Sequence, residues 1–367
     1  MTVPLLFEPI AIRELTIRNR AWLSPMCMYS CNAEDGMPND WHLTHLGARA
    51  QGGFGLIMSE AVAVTKDGRI TPQDAGLWND EQAEAWAHIV KFVHDQGAAF
   101  GFQLGHAGRK ASTYRGFPGE PKGCIAIEDG GWQTLGPSTI AHEGYRAPRA
   151  MTRGDMDDVI DAFTAAAGRA DRVGADVVEV HAAHGYLLHE FLSPLANDRA
   201  DEYGGSFENR VRFPLEVIKA VRAVWPQDKP LFVRVSATDW IEGGWDVEQT
   251  SRFAGLLQRI GVDLIDVSSG SIAPAKIPAT RNYQVPLAAK IRSDNTILTA
   301  AVGLILEPKE AEKILISGES DVVFLARVAL REAAWPLRAA FELGLDATEI
   351  PYPPQYTRAR FDLIPAE

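Results

Sequence analysis

Along the chain, short apolar runs alternate with stretches in which apolar residues recur every three or four positions. The runs are 21–26, 56–61, 98–104, 176–181, 231–236, 264–268, 297–302 and 322–326. Helical spacing covers 80–96, 155–173, 247–260 and 307–316, and also 206–224, where Val211, Leu215, Ile218 and Val221 fall on one face. Such alternation predicts βαβ units and a parallel sheet. Eight repeats predict an α/β fold closed as a (β/α)8 TIM barrel. An open doubly wound sheet would instead show a Gly-rich dinucleotide turn after its first strand, where this chain has SPMCMYS.

One connection exceeds an ordinary barrel loop. Residues 105–152 are rich in Gly and Pro without a sustained period, and are expected to form a hairpin-containing insertion or lid over the barrel face after strand 3. Nothing marks a second domain, so 1–367 is expected to be a single domain, with 351–367 as an extended, proline-stiffened tail. With 46% hydrophobic residues, 367 positions can bury a sizeable core. A net charge of −12 without any basic block argues against nucleic acid as a partner. Three cysteines, Cys27, Cys31 and Cys124, suit a reducing cytoplasm. The opening residues do not read as a signal peptide and no apolar run would span a bilayer, so a cytoplasmic protein without a membrane partner is expected.

Candidate chemistry gathers where barrel strands end, the usual place for ligands in this architecture. The run 181–213, HAAHGYLLHEFLSPLANDRADEYGGSFENRVRF, sets three histidines and many charges between a strand and a helix. His181 and His184 would serve either as metal ligands or as N–H donors gripping one substrate oxygen. Tyr186 is then placed to deliver a proton, since a phenol stays protonated at neutral pH. Cys27, beyond the first strand, reads alone as a small buried hydrophobe. Gln103 and Arg234, pointing inward from strands three and five, would need either a polar ligand or a neighbouring carboxylate. Gly303 after strand seven and Ala326-Arg327 after strand eight occupy a common phosphate position.

With these residues assembled, the chain resembles the Old Yellow Enzyme family of FMN-dependent NADPH dehydrogenases and ene-reductases over nearly its whole length. The resemblance rests on HGYLLHEFLSPLANDRADEYGGSFENRVRF, LFEPIAIRELTIRNR, WHLTHLGARAQGGFGLIMSEA, FQLGHAGRKA and LFVRVSATD. Cys27 and Tyr29 in SPMCMYS, with Gln355-Tyr356-Thr357-Arg358, are similar to the bacterial, thermophilic-like, xenobiotic-reductase branch. The resemblance implies FMN as cofactor and NADPH, or NADH, as reductant. It implies that Ser24, Pro25, Met26, Cys27 and Ala61 line the flavin, that Gln103 and Arg234 bond its pyrimidine edge, and that Gly303, Ala326 and Arg327 take its phosphate. Ala300 and Ala326 stand where many members have glycine, which would narrow that phosphate site.

The implied reaction is reduction of activated alkenes, with hydride from the flavin and a proton from Tyr186. His181 and His184 would hold the substrate oxygen, Tyr29 would lie alongside, and Cys27 would tune the flavin. Nitro compounds are also implied as small-molecule substrates. Arg358 would reach a neighbouring subunit's site in a homodimer or homotetramer. The alternatives are a metal-dependent barrel hydrolase and a flavin-binding protein without turnover.

Overall fold

The computed structural model describes residues 3–363 and forms a closed barrel of eight parallel strands. In chain order these are β1 (Ala21–Leu23), β2 (Leu56–Ala63), β3 (Ala99–Gly105), β4 (Val177–Ala182), β5 (Leu231–Ser236), β6 (Leu264–Ser268), β7 (Leu298–Ala301) and β8 (Val322–Leu325). Each strand pairs with the next, and β8 closes on β1. All eight expected runs are therefore strands, although β1 ends at Leu23 and leaves Met26 in the following loop.

Side chains alternate across each strand, so one column faces the helices and the other fills the barrel. The helix-facing column is mainly apolar, as with Val178 and Val180 on β4 and Val233 and Val235 on β5. The interior column changes character with height. At the floor Trp22 stacks on Phe232, with ring centroids 5.8 Å apart, and meets Phe324 edge-on at 5.5 Å. Beneath them an N-terminal hairpin, Ile10–Ile12 paired antiparallel with Leu15–Ile17, adds Ile10, Ile12 and Ile17 to the same cluster. The sequence reading had not resolved this plug. One step up the column is polar: Gln103, Glu179, Arg234 and Asp266 are all buried.

The helices dock by the expected stripes. Asp80–Asp95 buries Trp86, Ile89, Val90 and Val93, and its N-terminus is closed by the Asn79–Gln82 capping box. The helix expected over 206–224 divides into Phe207–Arg210 and Arg212–Val224. Pro214 lacks the N–H that would bond the Arg210 carbonyl, so the ladder restarts with proline inside a first turn, where it is tolerated.

In the insertion, Thr113 and Cys124 form an antiparallel bridge across a turn, while Leu135–Gly136 pairs with Arg149–Ala150 in parallel. The tail departs from the extended form expected: Pro354–Ala359 and Phe361–Leu363 are 3-10 turns, and Phe361 stacks on Phe341. The part of the expected tail at 364–367 lies outside the described residues, as do positions 1–2 of the expected domain. Among the described residues, no helix is long and apolar enough to cross a membrane.

Phe232→Ala removes the stacking partner of Trp22 at a site with no solvent exposure. It should cost about 3–5 kcal/mol of stability in urea unfolding. A loss below about 1 kcal/mol would contradict the packing of the floor.

Candidate active site

The C-terminal mouth of the barrel collects most of the expected site residues. Ladder pairing sets His181 opposite Arg234 and Arg234 opposite Asp266, so three consecutive strands present polar side chains at one height. Directly beneath, Gln103 pairs with Glu179. Gln103 Nε2 donates to Glu179 Oε1 at 2.7 Å. Arg234 Nε lies 2.9 Å from Asp266 Oδ2, while its terminal nitrogens donate to Pro25 O at 3.3 Å and Ser24 Oγ at 3.2 Å. Each inward polar residue has thus found a carboxylate, as one of the two sequence readings allowed. Glu179 and Asp266 were not foreseen. Burial, then the charge of Asp266, raises the Glu179 carboxyl well above the usual carboxylate value and so favours its protonated form.

The histidine pair differs from the expected clamp. His181 Nδ1 accepts from the Ala183 N–H at 3.2 Å, which puts the proton of the neutral ring on Nε2. That Nε2 lies 3.4 Å from His184 Nδ1, and His184 Nε2 lies 2.7 Å from Ser268 Oγ. The two imidazoles therefore bond each other and a serine rather than both standing free. Burial, reinforced by Arg234, holds both well below the usual histidine value, so they are neutral donors. His184 sits at φ +59, a strained setting for a non-glycine residue. It is held from both sides, by Ser236 Oγ on its N–H at 2.9 Å and by Lys110 Nζ on its carbonyl at 2.8 Å.

Tyr186 meets the His181 ring edge-on at 5.1 Å and has the Lys110 ammonium 5.0 Å over its own ring. Burial raises its phenol well above 10, and the same cause lowers Lys110 to about 8. The turn that delivers Tyr186 depends on Gly185, at φ +72, where a Cβ would fall 2.3 Å from the Ser271 carbonyl. Gly185 N–H donates to His189 Nδ1 at 2.9 Å, and His189 Nε2 lies 3.0 Å from Asp239 in a fully buried pair. Glu190 accepts the Arg109 N–H at 2.9 Å and fastens the insertion to the mouth. Lys110, His189 and Glu190 lay within quoted motifs, but their contacts cross between chain segments and only the fold reveals them.

Cys27 and Tyr29 occupy the loop after β1, which Glu60 anchors by accepting the Met28 N–H at 3.0 Å. Burial raises both the Cys27 thiol and the Tyr29 phenol, so both stay protonated. Ala61 follows a register shift in β2 and, with His181 and Tyr186, lines a small cleft. Across the mouth, a cavity of about 150 Å³ is lined by Gly303, Ala326, Arg327, Gln284 and Ser268. Gly303, at φ +118, has the conformation glycine favours. Ala300 does not line this cavity; it packs into the barrel floor, so of the two alanines only Ala326 narrows it. Arg358 is exposed on the tail and makes no hydrogen bond or ion pair among the described residues.

These features fit a flavin mononucleotide. Gln103 Oε1 accepts no hydrogen bond among the described residues, the Arg234 terminal nitrogens stand beside it, and an open cradle with an exposed arginine lies across the mouth. Metal binding lacks a ligand set: among the described residues, no three His, Cys, Asp or Glu side chains are grouped to hold an ion.

Comparison with known proteins agrees. A family model described as NADH:flavin oxidoreductase / NADH oxidase family matches residues 5–346. An NADPH dehydrogenase from Geobacillus sp. (strain WCH70) is 48% identical over 355 residues, covering 96% of this chain and 98% of that protein. The old yellow enzyme homologue from Zymomonas mobilis matches with a TM-score of 0.76 at 26% identity, over 97% of this chain and 99% of its own. A 2-naphthoyl-CoA reductase matches with a TM-score of 0.84 at 26% identity; the match covers 95% of this chain but 54% of that one, so this chain spans about half its length.

Because the folded His181 and His184 values lie below 6.5, the unfolded chain binds more protons once pH falls under that point. The stability associated with their neutral state is therefore present above about pH 6.5 and falls on acidification. Nitrogen-15 NMR of the imidazoles at pH 6 should show both rings neutral and protonated at Nε2. A ring titrating near 6.5 would contradict the hydrogen-bond chain.

Proposed function

The chain belongs to the NADH:flavin oxidoreductase / NADH oxidase family, an FMN-dependent oxidoreductase driven by NADPH, and from that membership we propose that it reduces activated C=C bonds in small molecules. Enones, enals, maleimides and nitroalkenes form the substrate class. When bound, FMN supplies hydride chemistry at its N5. Gln103 and Arg234 would bond its pyrimidine edge, Ser24, Pro25, Met26, Cys27 and Ala61 would line it, and Gly303, Ala326 and Arg327 would hold its phosphate.

The observation that carries this reading is the buried cluster of two neutral imidazoles and a protonated phenol, with the His181 ring 5.1 Å from both His184 and Tyr186. A substrate oxygen entering there takes the Nε2–H of His181 away from His184, and His184 turns its own Nε2–H from Ser268 to the same oxygen. Neutral donors suit an acceptor whose negative charge grows during reaction, because burial strengthens each bond without placing a fixed positive charge in the site. Tyr186 protonates the adjacent carbon from beside His181, and the Lys110 ammonium over its ring favours the phenolate left behind. Tyr29 would border the substrate, and Cys27, kept neutral by burial, would tune the flavin without adding charge beside it. The free thiols of Cys27, Cys31 and Cys124 accord with a cytoplasmic setting.

In stopped-flow measurements, Tyr186→Phe should slow the alkene half-reaction by roughly a hundredfold or more while leaving reduction by NADPH near its original rate. His184→Ala should slow the same half-reaction by roughly a hundredfold. An alkene half-reaction unchanged in both variants would defeat the assignment.

Arg358, exposed and without a hydrogen bond or ion pair among the described residues, completes the mouth of a second copy in a homodimer or tetramer. Light scattering should therefore show an oligomer. A fully active monomer would contradict this contact.

A further inference from the structure

Two buried carboxylates take no part in the chemistry above. Glu179 and Asp266 have no solvent exposure and point into the barrel interior: Asp266 lies level with His181 and Arg234 in the ladder, and Glu179 one step below His181 on its strand. They face Gln103 from β3 and Arg234 from β5, with His181 above Glu179 on its own strand and the uncharged rings of Phe232 and Trp22 below. Only one oxygen of Glu179 is used: Oε1 accepts from Gln103, while Oε2 is buried without a hydrogen-bond partner. An apolar residue of similar size would fill this space at less cost, so the carboxyl invites an explanation from what it does to its neighbours.

We propose that Glu179 and Asp266 are positioning residues for the flavin, fixing the donor and acceptor sense of the two side chains that meet its pyrimidine edge. By accepting from Nε2, Glu179 determines which end of the Gln103 amide is engaged and leaves Oε1 as the free acceptor. Asp266, 2.9 Å from Arg234 Nε, takes the inner nitrogen and leaves the two terminal nitrogens beside Ser24 and Pro25 as donors. An acceptor next to a fork of donors complements an imide edge, which offers an N–H between two carbonyls. Without Glu179 the amide rotates freely and presents either end. The charges balance as well: Asp266 neutralises Arg234, and Glu179 carries its proton because a second anion is disfavoured there. Ionisation of Glu179 at alkaline pH would add a negative charge next to Gln103 and Arg234 and so oppose an anionic ligand held by them.

This inference rests on the FMN-binding reading, and the experiment separates the two. Wild-type protein is stripped of flavin and titrated with FMN, followed by fluorescence quenching, beside Glu179→Leu and Glu179→Gln. Gln at 179 still offers an oxygen to Gln103, so that variant should bind within about threefold of wild type, whereas Glu179→Leu should bind roughly tenfold or more weakly. FMN affinity unchanged in a folded Glu179→Leu, or the tenfold loss appearing equally in Glu179→Gln, overturns the proposal while leaving FMN binding intact. No FMN uptake by the wild type overturns the underlying reading. Should Glu179→Leu fail to fold, the pH dependence of the flavin reduction potential decides. The wild-type potential should fall more steeply at alkaline pH than that of Glu179→Gln, and parallel curves overturn the proposal.

Discussion

A closed barrel leaves its inward-facing side chains nowhere to go, and here that constraint falls on four polar residues. Alternation along β3 to β6 turns Gln103, Glu179, Arg234 and Asp266 into the interior, above an aromatic floor and below the mouth. Two carboxyls and one guanidinium in such a place balance only if one carboxyl keeps its proton. The result is a layer without net charge, in which one hydrogen bond, Gln103 to Glu179, and one ion pair, Arg234 with Asp266, run between adjacent strands. That layer also ties the first loop to the barrel, because Arg234 reaches the Ser24 hydroxyl and the Pro25 carbonyl.

What stands on this layer is held in unusual geometry. Tyr29, His184, Ser271 and Leu304 all have positive φ without being glycine, and each lies in a loop following a barrel strand. Strain of this kind persists only where the surroundings over-determine it. Around His184 those surroundings are visible: Ser236 on its N–H, Lys110 on its carbonyl, Ser268 and His181 on its ring. The imidazoles are thus fixed in place by bonds to each other and to Ser268, and in the proposed reaction a ligand oxygen would exchange partners with those bonds. Such preorganisation limits reorganisation during reaction.

Much of this was legible in the sequence, and the remainder was hidden for definite reasons. Eight apolar runs with helical spacing between them were enough to read the barrel, because buried parallel strands and amphipathic helices carry strong periodic signals. Polar residues at strand ends, before any family motif, led to His181, His184, Tyr186, Gln103 and Arg234, all of which lie at or just beneath the mouth. Glu179 and Asp266 went unread because an acid inside VVEV or LIDVS is overshadowed by its apolar neighbours; counting inward positions two at a time, Val177, Glu179, His181, would have exposed the first. The partnership of His184 with Ser268 joins residues 84 apart in the chain and has no local signature. The split at Pro214 and the coiling of the tail depended on turn geometry that hydrophobic spacing does not encode.

The account depends on this interior layer and mouth taking up a flavin. Visible absorption of the flavin-free protein during titration with FMN tests that directly. The account predicts saturable uptake of one FMN per chain, with a shifted flavin band that bleaches on addition of NADPH. An unshifted spectrum equal to that of free FMN at every ratio would contradict it.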